Sequence, residues 1–124
     1  MYAISTDAAP KTFGPFSQGT SAARFVFVSA QQPVDVATGK LVEGDITAQA
    51  KQCLKNVSGV LANLELTLAD VTKVTILLAD LSQMDAVYDT CDEVFDVPRP
   101  ACTVAGVSAL PNGAQITIEA IACR

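Results

Sequence analysis

Between Asp45 and Leu64 the apolar positions Ile46, Ala50, Leu54, Val57, Leu61 and Leu64 recur every three or four residues. That period predicts an amphipathic helix with one face on a core, and Asp45 is placed to cap its first turn. A second helix is predicted from about Ser82 to Phe95, with Met84, Val87, Cys91, Val94 and Phe95 on one face. Ser82-Gln83-Met84-Asp85 resembles a capping box at its start, and Pro98 and Pro100 stop it. Elsewhere the period changes to two. Arg24–Ala30, Val71–Ala79, Cys102–Val107 and Gln115–Cys123 carry β-branched and aromatic residues at strand length. In the last of these Ile116, Ile118, Ala120 and Ala122 share one face, and Thr117, Glu119 and Ile121 the other. Tyr2–Ser5 is a short edge strand, Asp7–Gln18 a loop with two prolines, Val36–Lys40 a hairpin turn back toward Leu41-Val42, and Leu110–Gly113 a turn.

The predicted order is ββ(β)αβαββ, one domain over residues 1–124. Helical crossovers allow partly parallel pairing, so the fold class is α+β: one mixed β-sheet with two helices on one face. The other face of such a sheet is left bare. Composition sharpens the point, because apolar residues make up 50% of the chain and charged residues only 17%, against roughly 25% in an average domain. A chain this small with so little charge is expected to cover apolar surface with further copies of itself.

The net charge of −5 and the eight scattered Lys and Arg residues make no basic patch, so nucleic-acid binding is not expected. Met1–Lys11 lacks the basic start and apolar run of a signal peptide, and no stretch approaches a membrane span. Four cysteines without a C-x-x-C pair, in a chain with no histidine, predict no metal site and free thiols in the cytoplasm. With no histidine, any acid or base working near neutral pH must be a perturbed carboxylate, a cysteine, a lysine or a bound water.

Glu119 is the first candidate for that work, since a carboxylate in mid-strand among Ile118, Ala120 and Ile121 is costly to bury alone. Either it holds and deprotonates a water, or it faces solvent or pairs with a lysine. Gly14-Pro15-Phe16-Ser17-Gln18 presents an aromatic ring, a hydroxyl and an amide on one loop, and Ser29-Ala30-Gln31 lies at a strand end. Each either lines a small-molecule cleft or is ordinary turn chemistry. Cys53 and Cys91 fall within helices and Cys123 next to the last residue, where cysteine acts as a small apolar group. Cys102 comes after Pro100-Ala101, where a side chain can point into a cleft, and Tyr88 is expected in the core.

In this order and spacing the pieces resemble the Rid/YjgF family, also labelled endoribonuclease L-PSP. Its GPYSQ stands as Gly14 to Gln18, its SGQ as Ser29-Ala30-Gln31 and its D-x-x-TG-x-L as Asp35–Leu41. A helix-borne glutamine matches at Gln49, DVVK at Asp70–Lys73, PARS at Pro100–Thr103 and LPxGAxVEIEAIA at Leu110–Ala122. The resemblance spans nearly the whole chain. It implies a chorismate-mutase-like fold, a homotrimer and a ligand cleft at each subunit interface. It also implies hydrolysis of enamines and imines to 2-oxo acids and ammonia without metal or organic cofactor. In that pattern Glu119 and Cys102 take catalytic positions, while Phe16, Ser17, Ser29, Ala30, Gln31, Tyr88 and Cys102 line the substrate.

Four positions depart from the pattern. Phe16 replaces a tyrosine, Tyr88 an asparagine and Cys91 a tyrosine, and Cys102 stands where an arginine grips the substrate carboxylate. Arginine normally makes two charge-assisted bonds to a carboxylate, each about 1.5–3 kcal/mol, so the loss is worth roughly 100-fold or more in affinity. Arg99, three residues from Cys102 in an extended segment, is expected to point to the opposite face. If the cleft brings Glu119 near Cys102, that charge disfavours a thiolate nucleophile. Three functions are open to such a chain: a Rid-type hydrolase with shifted or low activity, a non-catalytic trimer binding a metabolite or partner, and the ribonuclease or translation inhibitor of the family's older label.

Overall fold

A computed structural model describes residues 1–124. Six strands and two α-helices succeed one another as β1 (Tyr2–Ile4), β2 (Gly19–Ala22), β3 (Phe25–Gln31), α1 (Ile46–Ala62), β4 (Val71–Leu78), α2 (Met84–Val94), β5 (Ala101–Gly106) and β6 (Ile116–Cys123). They form one sheet in the order β1-β2-β3-β6-β4-β5. Only β4 and β5, joined through α2, run parallel; the other neighbours are antiparallel. The expected mixed sheet and α+β class are what the chain adopts.

Side-chain alternation divides the sheet into two faces. Val26 and Val28 of β3 lie beside Ala122 and Ala120 of β6, and Val74, Ile76 and Leu78 of β4 beside Ala120, Ile118 and Ile116. All are buried, because α1 lies across β3 and β6 on this side. Ala50, Cys53, Leu54, Val57, Val60 and Leu61 are the helix's buried stripe, and α2 packs beside it through Val87 and Phe95. Asp45 caps α1 as expected, its carboxylate accepting the Ala48 N–H at 2.9 Å. On the opposite face Phe25 and Phe27 stand tilted with ring centroids 6.4 Å apart, each more than 40% exposed. The bare apolar face that the sequence implied is present.

The Val36–Lys40 turn runs back toward Leu41-Val42 as expected, closing with a Val34–Leu41 bridge. Two local readings need correction. Gly19–Ala22, left unassigned by the period, is a strand. The small residues of β2 give no hydrophobic period, and its hairpin turns at Ala23 with φ +52°, without a glycine or asparagine to mark it. The start of α2 has no capping box: Asp80 accepts from the Ser82 backbone at 3.0 Å and the Ser82 hydroxyl at 2.7 Å, one short 3₁₀ turn upstream. A reciprocal box stands instead at Thr67 and Asp70, ahead of β4.

Candidate active site

Glu119 owes its setting to an irregularity in the neighbouring strand. Val28 pairs with Ala120 and Gln31 with Ile118, so Ser29 and Ala30 together face the single residue Glu119. The extra residue is a β-bulge, which re-aims the side chains beyond it. Phe25, Phe27 and Ser29 point to the open face, yet Gln31 turns to the helix side beside Ile118 and is buried. Its Nε2 donates to the Ser29 carbonyl at 3.0 Å, fixing the bulge from behind. Glu119 itself is exposed and makes no side-chain hydrogen bond or ion pair within the chain. It shares a hollow with Phe27, Lys73, Thr75 and Ile121. Lys73 does not pair with it. That ammonium donates to the Val74 carbonyl at 2.9 Å and to the hydroxyls of Thr75 and Thr103 at 3.2 and 2.9 Å.

Ser29 links this strand to the loop ahead of β2. Its hydroxyl donates to the Ser17 carbonyl at 2.7 Å and its backbone N–H to the Gln18 carbonyl at 3.0 Å. Gln18 is the loop's anchor. Its buried amide accepts from the Thr6 N–H at 2.7 Å and donates to the carbonyls of Thr6, Ala9 and Pro10 at 2.9–3.1 Å. Two-proline loops lack backbone donors, so a side chain supplies them. With Ser17 held at the sheet, Phe16 stands outward, 67% exposed.

Cys102 is elsewhere. Register places it beside Val74, which lies beside Ala120, whereas Glu119 lies beside Thr75. Cys102 therefore faces the helix side and Glu119 the open side. Within one chain, strand parity keeps the two apart. Cys102 lines a groove of about 230 Å³ between β5 and α2, with Tyr88, Cys91, Asp92, Phe95, Arg99 and Pro100 around it. Tyr88, expected in the core, is 44% exposed and forms part of this wall. Arg99, expected on the other face, lines the groove too, because the turn into β5 has not yet become regular strand. Its Nη2 donates to Asp92 Oδ1 at 2.6 Å.

Burial raises the Cys91 thiol to about 11, with neighbouring Cys102 adding to the rise. Burial raises Cys102 as well, partly opposed by the charge of Lys73. Both are neutral thiols near pH 7, and the groove's one carboxylate, Asp92, is paired with Arg99. The residues expected in one cleft thus form two sets: Ser17, Ser29, Ala30 and Glu119 around the bulge, and Tyr88 and Cys102 in the groove.

A bulge-mounted carboxylate on the open sheet face and a groove between an edge strand and a helix are the two features of this small α+β protein that carry candidate residues. The chain belongs to the family described as Endoribonuclease L-PSP, whose profile matches residues 6–124; this is the Rid/YjgF family of the resemblance. It is 40% identical over 121 residues to a RutC family protein of Pyrococcus abyssi, covering 98% of this chain and 95% of that one. It is also 40% identical over 121 residues to a 2-iminobutanoate/2-iminopropanoate deaminase of Capra hircus, covering 98% and 88%. Among solved structures, RidA from the Antarctic bacterium Psychrobacter sp. superposes with a TM-score of 0.96 at 32% identity, covering 100% of both chains.

Proposed function

We propose that this chain hydrolyses enamine or imine metabolites to carbonyl compounds and ammonia, at a site shared between copies of a homotrimer. The observation that carries the reading is the free, exposed carboxylate of Glu119 opposite the Ser29–Ala30 bulge. Relatives about 40% identical that are named 2-iminobutanoate/2-iminopropanoate deaminase support the reaction class. An enamine first tautomerises to its imine. Water then adds to the imine carbon as the C=N pair moves to nitrogen, and Glu119 takes the proton the water gives up. Returning that proton to nitrogen gives a carbinolamine; a second transfer through Glu119, of the hydroxyl proton to nitrogen, makes ammonia the leaving group, and the C=O bond forms as C–N breaks. An imine carbon is already electrophilic, so positioning and one proton relay supply most of the catalysis.

Because Glu119 and Cys102 occupy opposite faces, a water held by one copy meets a ligand in the groove of another. The exposed Phe25 and Phe27 on the open face favour assembly into the trimer. Cys102 in place of an arginine shifts substrate preference away from the family's small 2-imino acids. Four free thiols suit the reducing cytoplasm, and no helix is long and apolar enough to cross a membrane. A second reading, a non-catalytic trimer binding a metabolite or partner protein, is favoured by one observation: the neutral Cys102 thiol at the carboxylate-gripping position. The ribonuclease reading has less support, since a net charge of −5 and the absence of histidine both oppose it.

The test is ammonia release from imines generated by an amino-acid oxidase, with native protein beside Glu119→Gln. Native protein is expected to accelerate hydrolysis, and the variant to lose roughly 100-fold or more of that rate while folding normally. No acceleration by native protein supports the binding-only reading instead.

A further inference from the structure

Two of the four cysteines meet in the groove between β5 and α2, although nothing in their spacing along the chain marks a metal motif. Cys91 lies in the last turn of α2, and Cys102, near the start of β5, borders the same groove from the helix side of the sheet. The other two thiols are engaged elsewhere. Cys53 donates its S–H to the Ile116 carbonyl at 3.8 Å and Cys123 to the Arg124 carbonyl at 3.6 Å, while the sulfurs of Cys91 and Cys102 are free and make no hydrogen bond within the chain. Cys102 is exposed and Cys91 half-buried, so one thiol stands at the mouth of the groove and the other within it. The Asp92–Arg99 contact at 2.6 Å, with Pro98 and Pro100 in the segment between the elements, holds the end of α2 against the start of β5. The two thiols are therefore placed together before any ligand arrives.

We infer that Cys91 and Cys102 together bind a soft, two-coordinate metal cation, Cu(I), as a bis-thiolate that bridges α2 and β5. Sulfur ligands select Cu(I) and other soft cations over the harder ions that oxygen holds. Coordination number narrows the choice. No third His, Cys, Asp or Glu groups with the two thiols, so zinc, which takes four ligands, is left half-coordinated. Space separates a metal bridge from a direct S–S bond. Bridged sulfurs stand roughly 4.6 Å apart, twice a metal–sulfur bond of about 2.3 Å, where a disulfide needs about 2.05 Å. The two thiols border an open groove of about 230 Å³, which leaves room for the bridging ion. Each thiol releases its proton to water as its sulfur–copper bond forms, and no electron is exchanged, so copper stays Cu(I). The complex then carries one net negative charge, offset by Lys73, whose charge already favours the Cys102 thiolate. Val74, Phe95 and Pro100 supply apolar walls. This site does not depend on the proposed hydrolysis: copper here fills the groove and serves no step of the reaction.

In the experiment Cu(I), supplied without oxygen as its acetonitrile complex, is titrated into reduced protein against bicinchoninate, whose coloured copper complex reports the metal not yet taken. Native protein is expected to bind about one Cu(I) per chain, with X-ray absorption finding a pair of sulfur neighbours around it. Cys91→Ser and Cys102→Ser are each expected to weaken binding about 100-fold or more, since even the loss of an outer-shell partner costs a metal site about 10–100-fold. Cys123→Ser, changed on the open face beside Phe25, is expected to bind as native protein does. Thermal melts without metal confirm that each variant is folded. Native affinity retained in either groove variant overturns the inference, as does loss of binding in Cys123→Ser or a single sulfur beside copper. Imine hydrolysis enters none of these readouts, so failure of the copper site and failure of the hydrolase reading are told apart.

Discussion

Single residues divide according to whether their chemistry or their surroundings decide what they do. Glu119 is legible because a carboxylate in an apolar strand stands out in any sequence, and alternation alone sends it to the open face. Arg99 is not, because its direction depends on an irregular turn between two prolines rather than on a period. Gln18 has the look of a cleft residue, yet its four short contacts make it a loop anchor. Cys53 reads as an apolar filler and is fully buried in α1. Burial pushes its thiol up from the ordinary 9.0 to about 12. The folded thiol thus keeps its proton where the unfolded one loses it. This contribution to stability is complete below pH 9 and is lost as pH rises toward 12. Urea unfolding between pH 8 and 11 is expected to show stability falling with pH in native protein. Cys53→Ala is expected to show a shallower fall, with the part due to Cys91, raised to about 11, remaining. Equal slopes would exclude this role for Cys53.

At the scale of elements, periodicity locates both helices and the long strands because each buries one continuous apolar face. It misses β2, whose residues Gly19, Thr20, Ser21 and Ala22 are small, and whose pairing with β3 is what shapes it. It also misses why α1 contains Gly59. Alanine is the better helix former by about 1 kcal/mol, but a Cβ at Gly59 would stand 2.0 Å from the Ala8 carbonyl oxygen. The helix meets the N-terminal loop backbone to backbone there, and the same loop leads to Gln18 and Phe16. Gly59→Ala is therefore expected to destabilise the fold by about 1–3 kcal/mol, reversing the helix-propensity sign. A denaturant midpoint at or above the native value would show that the loop yields without cost.

The whole molecule turns on parity. Strand alternation places the bulge carboxylate and the Cys102 groove on opposite faces of one sheet, so the proposed site takes one half from each of two copies. Composition hints at partners through the low charged fraction of 17%, and the exposed phenylalanines of the open face give that surplus a location. The candidate residues are therefore readable one by one, while their division into two halves requires the register.

Subunit complementation tests that division most directly. Glu119→Gln removes one half and Cys102→Trp fills the other, so each variant alone is expected to be inactive toward imines. Co-refolded in equal amounts, they are expected to recover about one quarter of native activity, since a random mixture unites an intact carboxylate with an intact groove in roughly one site of four. A mixture no more active than its separate components, beside an active native protein, would mean that each chain carries its whole site alone.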